Sequence, residues 1–129
     1  MDDVPYQRKP RMYFETDPSA SHVTFDDGTK ERLNLPWLAY ARALWEYANP
    51  DTINVEFNDW LIVIHGNNLE PLFRAIGDRK LTWLCAQSAA WREETNREID
   101  TFATEILILK PMPGTPAKRR GQIELNLGA

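Results

Sequence analysis

INVEFNDWLIVIHG, residues 53–66, decides how this chain folds. Asn58-Asp59 separates two runs of alternating apolar residues, the composition of a two-residue hairpin loop. Closing that loop pairs Phe57 with Trp60, Val55 with Ile62 and Ile53 with Ile64. One face is then wholly apolar, while the other carries Asn54, Glu56, Leu61, Val63 and His65. A slip of one residue would mix the faces, so the pattern specifies its own register.

Downstream, Gly66 is expected to let the chain turn, and the apolar period then changes. Leu69, Leu72, Phe73 and Ile76 recur at helical spacing and predict a helix over 68–78. Glu70, Arg74 and Asp78 share its opposite face at ion-pair spacing, and Gly77 marks its end. Asn68 is the expected N-cap, accepting from the Glu70 N–H, because that choice puts Pro71 where no intrahelical bond is owed. KLTWLCA returns to alternation, with Leu81, Trp83 and Cys85 on an expected core face, and Trp60 belongs with the core of the hairpin.

Upstream, SHVTFDDGTKERLNL reads as a hairpin turning at Asp27-Gly28, preceded by a strand in RMYFET. LPWLAYARALWEYANP admits both periods. Leu38, Ala41, Leu44, Trp45 and Ala48 fit a helix, whereas Trp37, Ala39, Ala41, Ala43, Trp45 and Tyr47 alternate as in a strand. The strand is favoured because NPDT resembles a hairpin connection into Ile53. AQSAAWREETNREID favours a second helical segment near 86–99, and TFATEILILK reads as a buried strand. The expected fold is α+β, a mostly antiparallel sheet of about five to six strands with helices on one face.

The 129 residues divide into an arm (1–10), a single body (11–110) and a tail (111–129). The tail opens with PMPGTPAKRRG, a proline-rich connector, and ends in QIELNL, whose residues 122–127 alternate as a short edge strand would. A net charge of −4 argues against a dedicated nucleic-acid binder or a polybasic membrane module. One cysteine permits no internal disulfide and suits a reducing compartment. The start carries no apolar h-region and no apolar run approaches a membrane span, so a cytoplasmic location is expected.

No nucleophile elbow, HExxH, CxxC, phosphate-binding loop or dinucleotide fingerprint is present. His22 and His65 are too isolated to begin a metal site, and no metal or cofactor is expected. Asp26-Asp27-Gly28 reads as a turn in preference to a cation loop, and Cys85 as a buried, unreactive thiol. His65 and Asn67, with Asn68 beside them, are the candidates for ligand binding at the strand-to-helix turn. Trp37 and Trp91 are the candidate exposed anchors for a partner, and Lys118, Arg119 and Arg120 form a short basic patch. The leading expectation is a non-enzymatic interaction or scaffold module that binds a protein partner or itself as a homodimer. The alternative is a small-molecule binder or enzyme using His65, Asn67 and Asn68. Nucleic-acid binding through the basic ends ranks last.

Overall fold

The computed structural model describes residues 9–87 and 95–110. Its central hairpin forms in the expected register. Strands β5 (Thr52–Phe57) and β6 (Trp60–Asn67) pair Phe57 with Trp60, Val55 with Ile62, Ile53 with Ile64 and Thr52 with His65. Ile53, Val55, Ile62 and Ile64 are fully buried. Each such side chain contributes roughly 1.5–3 kcal/mol, so this face outweighs local backbone preferences.

Strand β4 (Tyr40–Trp45) pairs antiparallel with β5, which resolves the ambiguity in residues 36–48. A helix would have turned Leu38 and Leu44 to the core, yet they are 96% and 51% exposed. Trp37, Tyr40, Ala43 and Trp45 pack inward instead. Alternation is broken once: Ala41 is an extra residue between the pairs Tyr40–Phe57 and Arg42–Glu56. That bulge exchanges the faces, so Ala41 is exposed where strict alternation had it inside.

The architecture is α+β and dominated by sheet. Among the described residues eight strands form two four-stranded sheets, not one of five or six. The first contains β1 (Phe14–Thr16), β2 (His22–Asp26), β3 (Arg32–Pro36) and β7 (Leu81–Cys85), in the order β1-β7-β2-β3. The second runs β4-β5-β6-β8, with β8 at Phe102–Leu109. Two connections explain the division. Pro36 ends β3, and a 3-10 turn at Trp37–Ala39 carries the chain out of the first sheet before β4 begins. Helix α1 (Glu70–Gly77) then brings it back, and β7 enters antiparallel to β1 and parallel to β2.

Both sheets and α1 contribute to one core, with Phe25 of the first sheet edge-on to Phe57 of the second at 6.0 Å. Trp60 is partly buried against it. Trp83 is not, which corrects its expected core position: Leu81 and Leu84 are fully buried, and Trp83 is 38% exposed. The cause is another bulge. Thr16 pairs with Leu81 but Glu15 with Trp83, so Thr82 is the extra residue that turns Trp83 outward.

Between β2 and β3 the turn at Asp27-Gly28 is a five-residue loop, residues 27–31, tied by carboxylates. Asp27 Oδ1 accepts from the backbone N–H groups of Thr29 (2.8 Å), Lys30 (2.7 Å) and Glu31 (3.1 Å). Asp26 accepts from the Gly28 N–H and pairs with Arg32 at 2.9 Å. Gly28 has φ +85°, the left-handed conformation that glycine adopts without strain.

Of the second helical segment expected near 86–99, residues 88–94 lie outside the described residues. Ala86 makes a bridge to Ala103, and residues 97–99 form a turn. Most of the N-terminal arm and the whole tail, QIELNL included, are likewise outside them. Among the described residues no helix is long and apolar enough to cross a membrane.

Candidate functional site

Asn67 and Asn68, expected at a ligand mouth, hold another part of the chain. The Asn67 side-chain amide donates to the carbonyls of Arg97 (2.7 Å) and Asp100 (2.9 Å). Asn68 donates to the same two oxygens at 3.3 and 3.1 Å. Thr101 returns a bond, its hydroxyl donating to the Asn68 carbonyl at 2.6 Å. Asp100 is fully buried, and its carboxylate accepts from the backbone N–H groups of Arg11 (2.9 Å) and Asn96 (2.8 Å). These bonds clasp residues 96–101 to the end of β6 and meet the need of buried polar groups for partners.

The same clasp corrects the helix cap. Leu69, not Asn68, is the N-cap, and no side chain caps the helix. Asn68 has φ 50°, a left-handed conformation that its short polar side chain tolerates. Its amide is engaged with the 97–100 turn, so α1 starts at Glu70. Pro71 still falls where no intrahelical N–H is owed.

His65 is half-exposed between two partners. Its Nδ1 lies 3.0 Å from the Thr52 hydroxyl and its Nε2 lies 3.8 Å from Glu105 Oε1. Glu105 comes from β8, directly across the strand pair, and so supplies the carboxylate that the hairpin alone lacks. Hydroxyl, imidazole and carboxylate stand in the order of an acyl-transfer relay. At 3.8 Å, however, the carboxylate makes an ion-pair contact, not the hydrogen bond that orients a general base.

Trp37, expected to be an exposed anchor, is 4% exposed and belongs to the core. Its indole N–H donates to the Leu81 carbonyl at 3.0 Å. Trp91, Lys118, Arg119 and Arg120 lie outside the described residues. Cys85 is partly buried; burial pushes its thiol up, and the Asp26 carboxylate pushes it further, which keeps it protonated near neutral pH. No three His, Cys, Asp or Glu side chains among the described residues group to hold a metal ion.

An exposed apolar block lies on the outer face of the β4-β5-β6-β8 sheet. Cross-strand pairing sets Arg42, Glu56, Leu61 and Leu109 in one row, and Leu44, Asn54, Val63 and Leu107 in the next. Leu61, Val63, Leu107 and Leu109 thus form an apolar block on β6 and β8, with Leu107 and Leu109 39% and 46% exposed. This corrects the expectation that β8 is buried: it is an edge strand. Gln87 covers its start by donating its backbone N–H to the Ala103 carbonyl. From Glu105 to Leu109 no strand among the described residues pairs with the outer edge. The sequence does contain the signal for this block, in Leu61 and Val63 on the otherwise polar hairpin face, but pairing with β8 is what completes it.

Fold and surface define a class: an α+β protein of two mostly antiparallel sheets, one of which carries an apolar block on the outer face of β6 and β8. No protein family, curated protein or solved structure matches the chain.

Proposed function

We propose that this chain is a protein-interaction module that associates with a second copy of itself along β8. The observation that carries the reading is the apolar block of Leu61, Val63, Leu107 and Leu109 ending at β8, whose outer edge from Glu105 to Leu109 meets no strand among the described residues. Edge strands are normally blunted by charge, proline or a covering element. Between Thr104 and Leu109 the one charge is Glu105, and there is no proline.

A second β8 fits this edge. Antiparallel pairing centred on Leu107 sets Ile106 against Ile108 on the inner side and joins the two apolar blocks on the outer side. Such a closed two-fold contact uses the same surface on both copies.

Sedimentation velocity across a concentration series from about 1 to 500 µM tests the reading. The wild-type chain should pass from monomer to dimer, and Leu107→Lys with Leu109→Lys should remain monomeric. Both side chains are exposed, so circular dichroism of the double variant should match wild type. A wild-type chain that stays monomeric throughout, or a double variant that dimerises equally well, refutes the β8 contact.

A further inference from the structure

We propose that a cleft on the first sheet, far in the chain from the β8 block, binds a small organic cation with an apolar body. The cleft has a volume of about 570 Å³, the size of a small-molecule site. Its wall includes Met12, Tyr13, Gly28, Trp83 and Cys85, with Glu15 among them. Glu15 and Trp83 are register partners on β1 and β7, so carboxylate and indole emerge side by side on one face of the sheet.

Two observations favour a cation over a neutral or anionic ligand. Glu15 is the one charged residue among the described residues lining the cleft, which include no lysine or arginine. Neither Glu15 nor Trp83 has an ion-pair or cation–π partner among the described residues, although other residues of this chain do. At the Gly28 end the wall is the neutral Cys85 thiol, and the nearby Asp26 carboxylate is paired with Arg32. A quaternary ammonium or protonated amine would meet the indole face and the carboxylate together, while its apolar body lies along Met12 and Tyr13. A carboxylate or phosphate ligand would be repelled.

Benzyltrimethylammonium is a suitable probe, with benzyl alcohol and benzoate as neutral and anionic controls. The readout is the Trp83 indole N–H signal of the full ¹⁵N-labelled chain, assigned as the peak lost in Trp83→Leu. The cation should shift this signal saturably and bind more tightly than either control. Glu15→Gln, a change at an exposed position, should weaken cation binding about three- to tenfold and leave benzyl alcohol unaffected. An unmoved Trp83 signal, equal binding of cation and alcohol, or unchanged affinity in Glu15→Gln would each overturn the proposal.

Discussion

Gly66 stands where β6, β8 and the entry to α1 come closest together. A Cβ there would overlap the Phe102 carbonyl oxygen and lie 3.0 Å from both the Ala103 Cα and a Leu69 side-chain carbon. The first two contacts are backbone atoms of a paired strand and cannot rotate away. The chain therefore needs glycine for close approach, not for the turn that its position suggests. The left-handed residues are elsewhere, at Asn68 and Arg79 among the non-glycines. The ladder explains the proximity: His65 pairs with Glu105 and Gly66 with Ala103, so Thr104 bulges and β8 is drawn inward. Gly66→Ala is expected to destabilise the fold by about 2–4 kcal/mol through forced backbone displacement. Urea unfolding should show a lower midpoint with an unchanged slope. A loss under about 1 kcal/mol would mean that the strands separate easily here.

The loop between β2 and β3 is an element organised by carboxylates, Asp27 above all, which makes it sensitive to acid. Backbone N–H groups of Thr29, then Lys30 and Glu31, hold the Asp27 carboxyl below the ordinary aspartate value of 3.8. A folded-state value below the unfolded one means that the group stabilises the fold above the unfolded value. That contribution fades as pH falls through the folded value. Asp27→Asn keeps an acceptor oxygen but carries no charge. The wild-type advantage over this variant, measured by urea unfolding, should narrow as pH falls from about 5 to 2. A gap that stays constant over that window would assign the loss to hydrogen-bond geometry and not to charge. This loop was legible from Asp27-Gly28, as the β5–β6 hairpin was from its two alternating runs. In β4 and β7 alternation identified the strands but misplaced Ala41 and Trp83. One extra residue exchanges the faces of a strand, and neither Ala41 nor Thr82 has a side chain that marks it as the extra one.

Across the whole molecule, the two sheets meet at a residue that sequence proximity misjudged. Beside Pro36, Trp37 looked like an exposed anchor, and in its alternating run Trp83 looked like core; the structure reverses both. Contacts distant along the chain decide the matter. Trp37 donates its indole N–H to the Leu81 carbonyl, 44 residues away on β7 of the first sheet. Its ring packs on Tyr40 at 5.3 Å and Phe57 at 5.6 Å, both in the second sheet. The side chain thus bridges the sheets at the turn where the chain crosses between them. Removing it opens a cavity in the shared core and leaves the Leu81 carbonyl without this donor, so Trp37→Ala should cost about 3–5 kcal/mol. Trp83→Ala removes an outward-facing ring and should cost no more than about 1 kcal/mol. Chemical unfolding of the two variants, followed by far-ultraviolet circular dichroism, makes the comparison directly. Because both sheets share one core, Trp37→Ala should lower a single cooperative transition and not split it. Equal losses in the two variants, or a transition split by Trp37→Ala, would contradict a core bridged at Trp37.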